Sequence, residues 1–279
     1  MPFTGSHPAA VLPFLPLPLP ASALVMGSLA PDLPFYVPGV RPLPTHTAVG
    51  TVTVDVLIGG ACWAVWHGLL ARPALAVAPA GVRGRLAGTV EPGLRRRLAS
   101  PGDAARVLAA LAVGSATHVL WDEFTHAERW GAEHIAVLTG SWRGRPVVDW
   151  AQDASGVVGA WLIARWGAGW WRRTSARPAT PVPATRWVWP ALAGAGALAG
   201  GVAARRAPDV RSAAIAGAFR GGGATGLTGV LLALGWHARR RTPPTGSART
   251  GGVLSGLAAA LGRGRDRDAV RRGRLGAPA

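Results

Sequence analysis

Lysine and asparagine are absent from the sequence, and charged residues of all kinds make up only 15% of its 279 positions. A soluble domain ordinarily carries about 25% charged residues. Hydrophobic residues make up 49% of the chain, and the mean hydropathy is +0.25. This composition argues against an ordinary soluble domain and predicts a membrane protein.

Cysteine is almost absent as well. The single cysteine, Cys62, lies within an apolar run. One thiol cannot form an internal disulfide or a cysteine-based zinc site. Any metal ion in this protein must therefore be held by nitrogen and oxygen atoms.

Acidic residues are scarce. The 13 acidic residues face 30 basic ones, all of them arginine, and the formal net charge is +17. Such a charge is common in nucleic-acid binders, but these arginines lie in short clusters between apolar runs and are not interleaved with aromatic side chains. We expect no nucleic-acid partner. Membrane lipids are the expected partners, because anionic headgroups attract clustered arginines.

Residues 1–50 form the first predicted region. They include eleven prolines, which exclude a long helix. We expect a largely irregular, proline-rich arm on the outer side of the membrane. It contains one short helix near Ala21–Leu29, which stops at Pro31.

Residues 51–238 form the second predicted region. Each of its five apolar runs approaches the roughly 20 residues that span a bilayer as a helix. The runs cover about 52–71, 104–124, 151–171, 187–204 and 212–238. The predicted fold class is all-α, a polytopic membrane helix bundle with about five spans.

The arginine count of successive loops predicts the orientation. One arginine precedes the first run, and the next four loops carry seven, three, five and three. Ten more follow the fifth run, in residues 239–279, where too little apolar surface is present for folding. Because positive loops stay in the cytoplasm, we expect a multi-pass plasma-membrane protein with its N-terminus outside and a disordered cytoplasmic tail.

The strongest local pattern is the trio His118, Asp122 and His126. Spacings of four residues place all three on one stripe of a helix. Two imidazoles and one carboxylate suit zinc, manganese or iron. A single histidine near a helix end is more often a satisfied polar anchor, but three such groups within nine residues favour a shared metal ion.

Four further residues are candidate ligands because the predicted topology puts them on the same outer side. Each one alone is an ordinary loop or helix-start residue. They are His7, Asp32, His46 and Asp153.

Two carboxylates are candidate catalytic groups. Glu123 points about 100° away from Asp122 around the helix, which makes it a poor ligand but a candidate general base. Asp55 begins the first predicted span on the outer side, where it could orient a ligand, serve as one, or simply favour a helix start. His67 and His237 fall at predicted inner ends and are expected to be interfacial bystanders.

Three motifs carry a family resemblance. They are the opening Met1–Pro8, the string Leu24–Tyr36 with its Ala-Pro-Asp step, and Ser115–His126. Together, over about residues 1–238, they resemble the domain-of-unknown-function family 4184, a group of bacterial multi-pass membrane proteins. That resemblance brings no assigned reaction.

A more distant similarity is to inner-membrane metal-dependent hydrolases and to the zinc-dependent phospholipase C type of helical enzyme. It implies a metal-facing set of His7, Asp32, His46, His118, Asp122 and His126. The pattern of the resembled family has Gln-His where this chain has Gln152-Asp153, and aspartate can replace histidine as a ligand.

Two functions follow from these patterns. In the first, the His/Asp site holds a divalent metal, with zinc first and manganese or iron as alternatives, and hydrolyses a phosphoester or acyl bond of a lipid or lipid-linked substrate. The candidate ligands exceed the four of one tetrahedral ion, so two ions could be present. In the second, the protein is not an enzyme, and the same groups form a structural polar knot or a pathway for protons or cations.

Overall fold

The computed structural model of the chain describes residues 4–40, 42–90, 92–178 and 187–241. Within these ranges the chain is mostly helical. The strands there are two residues each, Ser141–Trp142 (β1) and Arg145–Pro146 (β2), and they pair as an antiparallel hairpin. The helical class is therefore confirmed. The predicted tail lies outside the described residues, except for residues 239–241.

The helices follow the predicted apolar runs. Two 3₁₀ helices, Thr4–Phe14 and Ala30–Tyr36, flank the first α-helix, and a π-helical turn, Trp66–Leu70, joins α3 to α4. The α-helices, numbered in chain order, are α1 (Ala21–Leu29), α2 (Ala48–Val52), α3 (Val54–Val65), α4 (Ala71–Val77), α5 (Ala80–Val90), α6 (Leu94–Arg97), α7 (Pro101–Asp122), α8 (Trp130–His134), α9 (Val147–Arg173), α10 (Val188–Ala204) and α11 (Val210–Arg241). Residues up to Leu234 form one compact unit, and Gly235–Ala279 form another, described only as far as residue 241.

Two helical stretches are long and apolar enough to cross a membrane. One is Ala48–Val77, a run of 30 residues from α2 to α4, and the other is α7, with 22 residues. Helix α10 is apolar but has 17 residues. Helices α9 and α11 are longer, but glycine, tryptophan and arginine lower their hydropathy. A membrane-like helical protein is thus supported, and five spans remain a prediction.

The proline-rich arm is more regular than the sequence predicts. Helix α1 has the predicted bounds, Ala21–Leu29. Residues Thr4–Phe14 form a 3₁₀ helix that contains Pro8 and Pro13. The fixed φ of proline, near −65°, lies within the range of a 3₁₀ helix, so these residues break α-helix without forcing irregular chain.

Helix α1 lies at the centre of the fold, against α7 and α3. Leu24 of α1 and Leu111 of α7 are fully buried where the two helices cross. The backbones approach closely there because Gly27 and Gly114 lack side chains. A Cβ on Gly27 would meet the backbone of Leu111, and one on Gly114 would meet the backbone of Leu24.

The π-helical turn has a cause in the sequence. Pro73, in the first turn of α4, has no N–H to donate to the carbonyl of Leu69, and its ring crowds the preceding turn. A widened turn relieves that crowding. The turn includes the buried His67, whose Nε2 lies 2.9 Å from Oγ of Ser22 on α1.

Helix α7 carries the strongest sequence motif to the site. It begins with a capping box between Ser100 and Asp103 and has Pro101 as its first residue. His118 and Asp122 lie in its last two turns. The chain then leaves the helix, but the amide of His126 still donates to the carbonyl of Asp122 at 3.1 Å, so the predicted stripe continues past the helix end.

Candidate metal centre

Four side chains from three separate segments converge near the end of α7. Asp32 comes from the second 3₁₀ helix, His46 from the loop before α2, and His118 and Asp122 from α7. All four are buried, with 0 to 8% of each residue exposed. The sequence interval from Asp32 to Asp122 shows that only the tertiary fold brings them together.

The facing atoms of this quartet form a compact polyhedron. His46 Nε2 lies 3.2 Å from His118 Nε2, 3.3 Å from Asp32 Oδ1 and 3.4 Å from Asp122 Oδ2. His118 Nε2 lies 3.7 Å from Asp32 Oδ1 and 3.4 Å from Asp122 Oδ2. Metal–ligand bonds of about 2.0–2.2 Å in a tetrahedral zinc site give ligand–ligand separations of about 3.3–3.6 Å. Five of the six separations among the four atoms are therefore close to those around one ion. The groups whose ligand atoms all lie within 4.8 Å of one another are His46, His118 and Asp122, and His7, Asp32 and His118.

The tautomer of His118 exposes a lone pair to this centre. Its Nδ1 lies 2.7 Å from the carbonyl oxygen of Ser28. A carbonyl can only accept, so Nδ1 carries a hydrogen, and Nε2 presents a lone pair to the centre in the neutral form of the ring. Metal-binding histidines are commonly oriented by this kind of bond to a backbone carbonyl.

One hydrogen cannot contact all four facing atoms of the quartet at once. Around His118 Nε2 lie another imidazole nitrogen and two carboxylate oxygens. A hydrogen on either Nε2 can point to one neighbour only, whereas a cation at the centre contacts all four atoms. The arrangement is thus one that could hold a metal ion.

His46 is held in a strained backbone conformation. Its φ is 61°, in the left-handed region that residues other than glycine seldom occupy. The guanidinium of Arg129 donates to its carbonyl at 2.8 Å, the carboxylate of Asp55 accepts its backbone N–H, and Thr45 Oγ1 lies 3.0 Å from its Nδ1. Strain of this kind persists where the surroundings fix it, commonly at functional sites.

The carboxylate of Asp32 is held in its anionic form, with one oxygen facing the centre. Thr4 donates its hydroxyl hydrogen to Oδ2 at 2.6 Å, which leaves Oδ1 for the centre. Burial alone would raise the pKa of Asp32, but the hydrogen bond with His46, the charge of His118 and the Thr4 hydroxyl lower the pKa to about 2. The carboxylate is therefore ionised at neutral pH.

His7 and His126 approach Asp122 from the other side. His7 is fully buried and stacks on His118, with ring centroids 3.7 Å apart. His7 Nε2 lies 3.7 Å and His126 Nδ1 3.4 Å from Asp122 Oδ1. Burial and the charge of His118 lower the pKa of His7 to about 4, so its ring is neutral at pH 7.

The structure thus gathers six of the seven predicted ligands. The seventh, Asp153, has a side chain that is 56% exposed and lies 2.8 Å from an Arg145 nitrogen. Its neighbour Gln152 is the buried residue at this point of α9, and it donates to the carbonyl of Thr125 at 3.2 Å. The described distances do not join Asp153 to the cluster.

The two candidate catalytic carboxylates occupy different environments. Asp55 is fully buried, accepts a hydrogen bond from Ser115 at 2.9 Å and holds the backbone of His46, so it supports the site from behind. Glu123 accepts from the backbone N–H of Trp130 at 3.0 Å and lies 3.6 Å from Arg129. The structure does not bring Glu123 to the centre.

Several supporting groups have no signal in the sequence. The carbonyl of Ser28 belongs to the backbone, and the hydroxyls of Thr4 and Ser115 belong to common residue types. Arg129 contributes to the orientation rule as one loop charge among many, yet it holds His46. Long-range contacts of this kind leave no periodic or spacing pattern to detect.

A cavity of about 430 Å³ lies beside the centre. Thr4, which binds Asp32, forms part of its wall together with Tyr36 and Gln152. Most of the remaining wall is apolar and comes from α9 and α11, including Val157 and Phe219. The volume lies in the range of small-molecule sites, about 300–1,000 Å³.

The comparisons with known proteins agree with the motifs. Residues 1–234 match the family described as Domain of unknown function (DUF4184). The match covers most of the chain, and the chain belongs to this family. The chain matches no curated protein and no solved structure.

Proposed function

We propose that the quartet of Asp32, His46, His118 and Asp122 is a metal centre that holds one divalent cation. The observation that carries the proposal is the set of five separations between 3.2 and 3.7 Å among the four facing atoms. Two imidazoles with two carboxylates suit zinc first, and manganese or iron as alternatives.

The reaction proposed for this centre is hydrolysis of a phosphoester or acyl bond. A divalent ion that accepts a fifth ligand beside the quartet would polarise such a bond and lower the pKa of a bound water, which supplies a nucleophile at neutral pH. The protein's own contribution is to exclude bulk water, since the ligands are buried, and to fix the ligand orientations through Ser28, Thr4 and Asp55. The distant hydrolase similarity has no counterpart in the comparisons, so this reaction rests on the ligand chemistry and the neighbouring cavity.

The proposed substrate is a lipid or a lipid-linked compound. The cavity beside Thr4 is mainly apolar and is large enough for part of an acyl chain. Large apolar side chains are exposed on the helices, including Leu57 (74%), Val157 (72%) and Leu198 (72%). Apolar surface of this kind is stable against lipid and costly in water. A substrate that resides in the membrane would reach the cavity without crossing water.

The location proposed is the plasma membrane, with the metal centre on its outer side. The alternating arginine counts of the loops support this orientation. Two candidate spans support insertion. Labelling of single cysteines beside His7 and beside His126 with an impermeant reagent tests the orientation, because both should react from outside.

A structural ion is the second candidate function. Four protein ligands fill a tetrahedral site, and filled sites are typical of structural zinc. The quartet also ties the arm to α7, as a structural ion would. In that case the ion stabilises the fold and no substrate is turned over.

Elemental analysis of the detergent-purified protein tests the metal centre. We expect at least one equivalent of zinc, manganese or iron per chain, and loss of that ion in Asp32→Asn and His46→Ala. The matched controls are Glu133→Gln and His134→Ala, which alter an exposed carboxylate and an exposed imidazole on α8. Protein without stoichiometric metal contradicts the proposal.

Turnover separates the hydrolase from the structural ion. The probes are a fluorogenic phosphodiester and a long-chain fluorogenic acyl ester in mixed micelles. The hydrolase proposal expects cleavage of at least one probe, abolished by a chelator and restored by the metal. A chelator that lowers the melting temperature, with neither probe cleaved by the metal-loaded protein, favours the structural ion.

A further inference from the structure

We propose that Asp122 bridges two metal ions, and that the second ion is held by His7, His126 and Asp122 Oδ1. This inference rests on the proposed metal centre and extends it. The starting observation is that the two oxygens of Asp122 face different partners. Oδ2 faces His46 and His118, whereas Oδ1 faces His7 and His126.

His7 is the strongest indication of a missing partner. The residue is fully buried, and neither ring nitrogen has a hydrogen-bond partner among the described residues. Asp122 Oδ1, 3.7 Å from His7 Nε2, also has none. Buried polar atoms are almost always paired, and an unpaired set that shares one small volume points to an absent ligand.

The position of His7 is enforced by packing. The 3₁₀ helix Thr4–Phe14 lies against α9, where Gly159 allows Ser6 to approach. A Cβ on Gly159 would lie 2.8 Å from the Cβ of Ser6. The fold therefore brings an imidazole without a hydrogen-bond partner against Asp122.

Both separations measured from Asp122 Oδ1 are compatible with a cation at the second position. His126 Nδ1 lies 3.4 Å from Asp122 Oδ1, and His7 Nε2 lies 3.7 Å from the same oxygen. His126 Nδ1 also has the Asp122 carbonyl at 3.3 Å and Thr125 Oγ1 at 3.4 Å, both long for hydrogen bonds. A shared carboxylate is a natural link in two-metal sites, whose ions lie about 3.5–4 Å apart.

The two positions differ in their openness. The first has four protein ligands and is enclosed. The second has three, and the side chain of His126 is 24% exposed, so solvent reaches this edge of the site. Three protein ligands with one open position are characteristic of catalytic zinc. We therefore assign water activation to the second position and ligand organisation to the first.

Metal stoichiometry tests the inference directly. We expect two equivalents of metal per chain in the wild type, and one equivalent in both His7→Ala and His126→Ala. His134→Ala, the matched control on α8, should keep two. If the wild type binds one equivalent and His126→Ala keeps it, the second position is refuted and the first stands. If the wild type binds none, both fail.

Electron paramagnetic resonance of the manganese-loaded protein gives a second readout. Two ions bridged by Asp122 should show a spin-coupled signal, which becomes the six-line signal of isolated Mn²⁺ in His126→Ala. His126 lies past the end of α7 and is partly exposed, so its removal leaves the buried packing intact. An isolated-ion signal in a wild type that holds two equivalents would show that the ions are not bridged, and would overturn the proposal.

Discussion

Two places in this protein join a buried histidine to the N-terminal arm, and they differ in what surrounds the imidazole. At the π-helical turn, His67 meets one hydroxyl, that of Ser22, which also accepts a hydrogen bond from Trp63 at 3.0 Å. At the end of α7, histidines meet carboxylates and one another. One hydroxyl satisfies one imidazole nitrogen, whereas the several acceptors that face one point at the end of α7 could share a cation.

This difference distinguishes a histidine that contributes to helix packing from a cluster of side chains that could hold a metal ion. A polar residue inside an apolar bundle is commonly a polar anchor. His67 fits that description through the bond between its Nε2 and Ser22, although its buried Nδ1 has no hydrogen-bond partner among the described residues. The quartet does not, because its four facing atoms include two carboxylate oxygens and a nitrogen whose hydrogen is committed elsewhere. Four measurements test this difference between the two histidine environments.

The largest effect is expected from Asp122→Asn. The amide cannot supply an anionic oxygen to either proposed position, so we expect metal affinity to fall by at least about 100-fold. Equilibrium dialysis with zinc, followed by elemental analysis, measures the change. Unaltered affinity would mean that Asp122 is not a ligand. His67→Gln, at the contrasting histidine, should bind metal as the wild type does.

The next effect is a pH dependence of the chelator-treated protein. His7 has a folded-state pKa of about 4, below the unfolded value of 6.5. As the pH falls from 6.5 to 4, the unfolded chain takes up a proton that the folded chain resists, so folding stability decreases, by about 3 kcal/mol over that window.

Chemical unfolding at a series of pH values tests this dependence. His7→Ala should show a shallower loss of stability between pH 6.5 and 4, whereas His134→Ala should keep the slope of the wild type. The slopes decide the outcome, because His7→Ala also leaves a small cavity that lowers stability at every pH. An unchanged slope in His7→Ala would contradict the buried, neutral imidazole.

A smaller effect is expected from Ser22→Ala. The change leaves His67 Nε2 and the Trp63 N–H without their shared partner, and an unsatisfied buried group costs about 1–3 kcal/mol. Thermal unfolding measures that cost. The metal content should not change, and a loss of metal would show that the two histidine sites are coupled.

The smallest effect is expected from Asp153→Asn. This exposed carboxylate pairs with Arg145, and exposed ion pairs contribute about 0–1 kcal/mol. Metal content and melting temperature should both stay close to those of the wild type. If the variant lost an equivalent of metal, Asp153 would be a ligand, as its place in the sequence pattern predicts.

Much of the helical framework is readable from the sequence. The bounds of α1 follow from the prolines on either side, and the long helices follow from the apolar runs. Both depend on interactions among residues that are close in sequence. The i,i+4 spacing of His118 and Asp122 likewise places them on one face of α7. The number of membrane spans is not decided by these patterns, since within the described part of the chain two stretches combine sufficient length with sufficient hydropathy.

The site was only partly predictable for a related reason. Seven ligand candidates could be named from residue type and predicted side, and six of them lie together. The backbone of His46, however, depends on Arg129 and Asp55, which are distant in sequence. The buried residue at the start of α9 is Gln152 and not Asp153, because packing sets the rotation of a helix and one residue corresponds to about 100°.

The amino-acid sequence alone specifies the available side-chain groups, which are imidazoles, carboxylates and one thiol, and it specifies the apolar helices on which they lie. Those are properties of composition and of short spacings. The tertiary structure alone decided that Asp32, His46 and the end of α7 meet, and that the two oxygens of Asp122 face different groups. The reason is that a metal site depends on separations of a few ångströms between distant segments, and glycine-mediated packing of the arm against α7 and α9 sets those separations.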